Sequence, residues 1–364
     1  IVTKSTLENT TSVNIEAGSF GQLNRSLTFG KEFKNASFIA HIGSLTSEGY
    51  RNNSDYRNNN YFLKAVLNKK KQPIELIATF FDKKFGAENF YTDNPAWHEY
   101  EETQNSLFGA ATTFKNEKFK ITPRVYWRRG QDIFLLKRDD PSFFRNLHIT
   151  NKVGLETNVS YTSKRGVTGF GIDVSRFYIS SNNLGNRNRT MANLFLEHRF
   201  KFANDKVDIT PGVAISYFSD FDFNAFPGLD IGVQLSDNLK LYGNIGTTFR
   251  VPTFTDLYYN DPTTLGDPNL KPESAFAQEI GFKYNTNRFS GTIAFFNRDA
   301  NNLIDFIRPN STSKYEASNI SDFNTKGFEL EGAYKFKWLG NNQTLNFGYN
   351  YLDDNIIDEN RDLS

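Results

Sequence analysis

The sequence predicts an all-β fold, specifically a transmembrane antiparallel up-and-down β-barrel. Three observations carry that expectation. The composition is hydrophilic yet rich in aromatics, apolar and polar residues alternate with period two over long runs, and short connections alternate with long ones.

Composition comes first. The chain has 364 residues, 38% hydrophobic and 15% aromatic, with 36 Phe and 17 Tyr. Its mean hydropathy is -0.56. A soluble chain of this length would form two or three domains at about 100–200 residues each. A barrel with an apolar outside and a wet lumen instead averages to a hydrophilic score while still needing aromatic girdles. No run approaches the roughly 20 apolar residues of a membrane helix, which excludes helical membrane proteins. Cysteine is absent, so thiol chemistry, disulfides and cysteine metal sites are excluded. The net charge of +1 points to neither nucleic acid nor an acidic partner.

The alternation is direct. Phe119, Ile121, Pro123, Val125 and Trp127 share one face, and Lys120, Thr122, Arg124, Tyr126 and Arg128 the other. Val207, Ile209, Pro211, Val213, Ile215 and Tyr217 likewise oppose Asp208, Thr210, Gly212, Ala214 and Ser216. Phe328, Leu330, Tyr334, Phe336 and Trp338 oppose Glu329, Glu331, Lys335 and Lys337. Soluble sandwiches also alternate, but their strands average about 5–6 residues, against about 9–11 for a membrane crossing. The runs here are long: 10–20, 22–33, 36–46, 58–69, 73–83, 103–115, 118–129, 147–162, 167–179, 189–202, 206–218, 226–235, 238–249, 274–284, 288–298, 325–338 and 343–352. That predicts about seventeen strands. Pro123 and Pro211 cannot donate to a ladder and are expected near strand starts or at bulges.

Connections such as Lys34–Asn35, Asn116–Glu117 and Ser236–Asp237 are short. Those at 47–57, 84–102, 130–146, 180–188, 219–225, 250–273 and 299–324 are longer, and Gly21 alone is the exception among them. Outer-membrane barrels have short periplasmic turns and long outer loops, which assigns a side to every connection. Ile1 already lies in strand-like sequence with no signal peptide before it, and Asp353 to Ser364 read as a polar loop. The expectation is a fragment that stops after an odd strand, at least one short of the even number of a bacterial barrel.

The most specific motif is Phe249-Arg-Val-Pro-Thr-Phe-Thr-Asp-Leu-Tyr-Tyr259, followed by Gly266-Asp-Pro-Asn-Leu-Lys-Pro-Glu273. Its prolines stiffen a loop by fixing φ and removing donors. The segment resembles the TonB-dependent receptor pattern of Arg-x-Pro, Leu-Tyr and Leu-Lys-Pro-Glu. The positions that carry it are Arg250, Pro252, Leu257, Tyr258, Asn269, Leu270, Lys271, Pro272 and Glu273. Ile1-Val-Thr-Lys4 is similar to the tail of the plug domain in that family, so the resemblance implies a plug remnant at 1–4 and an incomplete barrel at 5–364, of a family barrel of 22 strands.

Segments Gly49–Tyr56, Phe85–Tyr91, Ile121–Arg129 and Pro252–Tyr259 resemble the vitamin B12 receptor-like branch found in Bacteroidota. The resemblance implies an outer-membrane receptor of a Gram-negative bacterium that takes up a large scarce nutrient. Cobalamin or another corrinoid leads, with a ferric siderophore as the alternative. A passive porin or an adhesion barrel is the alternative of another class. It further implies coupling to the TonB–ExbB–ExbD complex through the plug, contact with outer-membrane lipid, and a surface lipoprotein as an optional partner. Catalysis is not expected.

Known cobalamin receptors order outer loops with calcium through clustered aspartates. The corresponding loop here, Ser47 to Arg57, holds only Asp55 and Glu48, few hard oxygen ligands for a calcium cage, so the expectation is no metal or cofactor, with calcium as the weaker alternative.

The candidate ligand contacts are aromatic residues in outer loops, whose faces suit a large planar ligand: Trp97, Tyr100, Tyr258 and Tyr259. For Arg250 and Pro252 a loop-shaping role is the simpler expectation. His41, His98, His148 and His198 form no metal-spacing pair, and a lone histidine on a strand reads as lumen lining. Asp139-Asp140 reads as solvated charge, and Lys69–Lys71 and Lys164-Arg165 as periplasmic turns. Tyr126, Trp127 and Trp338 read as interfacial girdle.

Overall fold

The computed structural model describes residues 9–68, 70, 72–90, 97–308, 310, 312–320 and 322–356. The plug-like tetrapeptide Ile1–Lys4 lies outside the described residues. The chain divides into two units, one of Ile1–Val159 with Ile172–Ala192, the other of Ser160–Gly171 with Asn193–Ser364.

The first unit contains β1 (Thr10–Ala17), β2 (Leu23–Glu32), β3 (Ala36–Ser47), β4 (Tyr56–Leu67), β5 (Ile74–Gly86), β6 (Tyr100–Thr112), β7 (Phe114–Lys115) and β8 (Phe119–Leu135). β9 (Arg145–Ser163), β10 (Gly166–Ser181) and β11 (Gly185–Phe202) have residues in both units. The second unit continues with β12 (Val207–Phe218), β13 (Asp222–Gln234), β14 (Leu239–Arg250), α1 (Phe254–Tyr258), β15 (Thr264–Leu265), β16 (Glu273–Asn285), β17 (Phe289–Asn301), β18 (Ile304–Ile307), β19 (Tyr315–Asn319), β20 (Phe323–Trp338) and β21 (Asn341–Ile356).

In the first unit each strand from β1 to β6 pairs antiparallel with the next, and β6 then pairs with β8. In the second, β12, β13, β14, β16, β17, β20 and β21 pair antiparallel in that order. β15, β19 and β18 form a separate small sheet.

The two faces of the main ladders meet opposite solvents. On β4, Leu63 is 46% exposed while its neighbour Lys64 is only 3% exposed and pairs with Glu75 at 3.3 Å. On β10, Phe170, Ile172, Val174 and Tyr178 are exposed, whereas Gly171, Ser175 and Ile179 are buried. This is a soluble fold turned inside out, with apolar residues outward and polar residues inward. Glycines let aromatic rings lie against the ladder: a Cβ on Gly332 would collide with the Phe347 ring.

Each of the seventeen expected runs coincides with one long strand among the described residues. The edges differ. β8 runs on to Leu135 and β9 starts at Arg145, so the loop between them is shorter than read from sequence. β12 and β13 are joined by a tight turn at 219–221 with Asp222 at φ 53°, not by a long loop. β21 reaches Ile356, so Asp353 and Asp354 are strand residues and not loop. The 250–273 and 299–324 connections contain α1, β15, β18 and β19.

The prolines need a correction as well. Pro211 is the fifth residue of β12 and keeps the register, opposite Leu229, with no bulge. Pro123 lies inside β8, and the facing ladder breaks there into β6 and β7. The missing N–H explains that break, and the Gln72 amide fills it by donating to Thr112 Oγ1 at 2.6 Å and to the Thr113 carbonyl at 2.9 Å.

Candidate functional site

In the second unit the family-like segment folds as a fastened loop. Arg250 and Glu273 are register partners at the ends of β14 and β16. The Arg250 guanidinium donates Nη2 to Glu273 Oε1 at 2.6 Å and Nε to Glu273 Oε2, a bidentate pair. Its Nη1 reaches Asp256 Oδ2 at 3.3 Å. Glu273 Oε1 also accepts from the Ile304 amide at 2.8 Å.

Thr253 caps α1: its hydroxyl accepts from the Asp256 amide at 3.1 Å, while the Asp256 carboxylate accepts from the Thr253 amide at 2.8 Å. This reciprocal capping box lets a helix of one turn form. Pro252 is fully buried, and Leu257 and Leu270 are buried to 2% and 4% exposure. Gly266 lets the chain pass close: a Cβ there would lie 2.7 Å from both the Asp256 carbonyl and the Tyr258 amide. Lys271 is held through its backbone, which exchanges two hydrogen bonds with the Asn319 side chain at 2.8 and 2.9 Å. Asn269 donates to Asp267, and Pro272 leads into β16. Tyr258, half-buried, ends α1 with its ring 6.2 Å from that of Phe254, and the half-buried Tyr259 caps the helix C-terminus.

In the first unit three outer connections interlock. Arg138, between β8 and β9, donates to both oxygens of Asp55 at 2.5 and 3.0 Å and to Asn53 Oδ1 at 3.4 Å. Its guanidinium also covers the Tyr100 ring at 4.5 Å. The Tyr100 hydroxyl donates to Glu102 Oε1 at 3.1 Å. Arg138 hydrogen bonds hold the Asp55 carboxyl below its usual value, against the opposing effect of burial. Both Asp55 oxygens are therefore engaged by a cation, and no group of three or more His, Cys, Asp or Glu gathers among the described residues. In loop 47–57 Asp55 thus serves as the partner of Arg138.

Glu99 is fully buried and braces the same connections: Oε2 accepts from the Phe90 amide at 2.9 Å, and its carbonyl accepts from Asn53 Nδ2 at 2.7 Å. His98 Nε2 meets Asn52 Nδ2 at 3.2 Å and Nδ1 meets Asp139 Oδ2 at 3.0 Å. A neutral ring with its proton on Nδ1 satisfies both. Asp139 is thus engaged, not merely solvated. Trp97 is half-buried, 6.1 Å from the Phe143 ring, and Lys137 Nζ sits 5.8 Å from Trp97 and 3.7 Å from Phe143. The result is a surface of aromatic faces and cations on a braced base.

Sequence reasoning placed Trp97 and Tyr100 in this region but missed Lys137, Arg138 and Phe143. Arg138 and Asp55 are 83 positions apart, and no periodicity connects them. His41 and His198 each bond a threonine hydroxyl at 2.8 Å, and His148 bonds Ser181 at 2.9 Å.

Long antiparallel strands with apolar outer faces, joined by elaborated loops at one end, define an outer-membrane β-barrel protein. Residues 4–364 match the family described as TonB dependent receptor-like, beta-barrel, and the chain belongs to that family. It is accordingly a protein of the Gram-negative outer membrane, from a family of receptors and not of enzymes. The vitamin B12 transporter BtuB of Vibrio vulnificus is 30% identical over 107 residues, 29% of this chain and 17% of that protein. BtuB of Photobacterium profundum is 29% identical over 123 residues, 33% of this chain and 19% of that protein.

Among solved structures, the siderophore receptor PirA from Pseudomonas aeruginosa superposes with a TM-score of 0.74 at 14% identity, over 95% of this chain and 66% of that one. The FrpB iron transporter from Neisseria meningitidis (F5-1 variant) gives 0.78 at 15%, over 98% and 65%. These likenesses establish the fold. The aligned part is under a fifth of the curated relatives' length and about two thirds of the solved chains' length.

Proposed function

We propose that this chain is the barrel part of a TonB-dependent receptor that takes up a corrinoid, with cobalamin the foremost ligand. The observation that carries the reading is the sequence kinship with proteins named vitamin B12 transporters. The aromatic surface of Trp97 and Phe143, with Tyr100 behind Arg138, supports it, because flat faces on a braced base suit a large planar macrocycle. Tyr258 and Tyr259 are the second unit's contributors in the same reading. Energy would come from a TonB–ExbB–ExbD complex acting on a plug, and a surface lipoprotein is a compatible outer partner.

A ferric siderophore is the second reading. The specific observation in its favour is Lys137, whose ammonium lies at the Trp97 and Phe143 rings and suits an anionic iron complex.

Equilibrium binding of cyanocobalamin and of ferric siderophores to the full-length receptor separates the two. The expected result is cobalamin binding at micromolar concentration or tighter, weakened about tenfold by Trp97→Ala, as expected for losing a hot-spot aromatic. Absence of cobalamin binding at micromolar concentration, with siderophore binding present, would replace the first reading by the second.

A further inference from the structure

The outward face of the first unit carries a groove of about 1160 Å3 that the receptor function does not use. Its floor is small, formed by Ala65, Ala78 and Ala110, and its walls include Leu63, Phe108 and Val153. The ladder puts these on one face: Leu63 opposes Ala78, Ala78 opposes Phe108, and Leu76 opposes Ala110. Leu63, Phe108 and Val153 are 46%, 52% and 52% exposed. This is therefore the face that the polar residues avoid, the lipid side.

The groove is not uniformly apolar. Arg176 lines it, five residues before the loop end of β10. Its Nη2 donates to Asn188 Oδ1 at 3.0 Å, and its guanidinium lies 5.1 Å from the centre of the Tyr178 ring. No carboxylate pairs with it among the described residues. Arg129 has the same character. It lies two residues nearer the loops than Trp127, on the same face, and its Nη2 meets only Gln131 Oε1 at 3.2 Å.

By contrast, Arg124, Arg138, Arg199 and Arg250 each hold an aspartate or glutamate. An arginine on a lipid-facing strand is costly unless its charge is answered, and guanidinium geometry suits phosphate. Long side chains at such a border extend toward the headgroups.

We propose that Arg176 and Arg129 bind the phosphate of an acylated, phosphorylated lipid of the outer leaflet, with an acyl chain lying in the Ala65–Ala78–Ala110 groove. Charge complementarity selects the anionic headgroup. The apolar floor below it selects a lipid over a soluble phosphate. The long-loop ends of the strands put both arginines on the outer-leaflet side.

The test is native mass spectrometry of the full-length receptor in a zwitterionic detergent, with three additions: lipid A, the same lipid with its phosphates removed, and inorganic phosphate. The expected result is selective retention of the phosphorylated lipid, undiminished by millimolar inorganic phosphate. It should fall about tenfold in an R129Q/R176Q variant, as expected for lost charge-assisted hydrogen bonds. Ala78→Phe, which fills the floor but leaves both arginines, should also reduce retention. Heat-modifiable electrophoretic mobility reports that each variant is folded. Equal retention of both lipids, or no change in R129Q/R176Q, overturns the headgroup site. Displacement by inorganic phosphate, or full retention in Ala78→Phe, overturns the groove.

Discussion

Arg250 joins two carboxylates, Glu273 and Asp256, through one guanidinium, so its identity matters beyond its charge. A lysine keeps the charge but not the planar fork. Arg250→Lys should therefore destabilise the loop nearly as much as Arg250→Ala, by about 1–3 kcal/mol as for loss of charge-assisted hydrogen bonds. Faster hydrogen exchange at the Ile304 amide, which shares Glu273, would register it. Equal exchange in Arg250→Lys and the parent would refute the need for a bidentate partner. The Asp55–Arg138 pair makes a pH prediction. Asp55 is depressed in the folded state, so its contribution is complete above the ordinary aspartate value of 3.8 and is lost as pH falls through the lower folded value. Proteolysis at loop 47–57 should accelerate only below that range, and Asp55→Asn should be fast at all pH. At this scale the sequence told little: Arg250 was visible because its motif is local, whereas Arg138 acts across connections and left no local signal.

Elements were far more legible, because a strand between two solvents must alternate at every step. What alternation could not reveal was the interior of the long connections. α1 is one turn, too short for periodicity, and depends on the Thr253–Asp256 box. Thr253→Ala should cost about 1 kcal/mol, seen as faster protease cleavage within 251–272 with the barrel strands unaffected. Gly266→Ala should cut the same segment faster still, since its Cβ meets backbone and not a movable side chain. If Gly266→Ala leaves cleavage unchanged, the close approach to α1 is not a constraint. Strand ends were misread where polar residues continue a ladder above the membrane, as at Asp353 and Asp354 of β21. Hydropathy marks the bilayer border, while hydrogen bonding runs past it.

For the whole molecule the governing quantity is which solvent each face meets. Ile280, near the middle of β16 and 54% exposed, faces outward, and its neighbour Glu279 faces the other way. Ile280→Lys should cost about 2–4 kcal/mol if it sits at the bilayer midplane, measured by urea titration of the barrel folded into vesicles. Glu279→Gln should cost far less, and equal costs would mean the faces are misassigned. Fold class and family were readable because the barrel architecture and the motif repeat local rules. The ligand was not, because the surfaces that select it are assembled from separate connections, Trp97 before β6 and Lys137 and Phe143 between β8 and β9.

The clamp at the feet of segment 251–272 has a further consequence. Because Arg250 and Glu273 are ladder partners, the segment starts and finishes on one rung, so a change of length between them need not shift the β14–β16 register. The span works like a socket with a fixed footprint. A peptide tag inserted at Pro262, which is exposed and belongs to no strand, could be displayed outside the cell with the β14–β16 register unchanged.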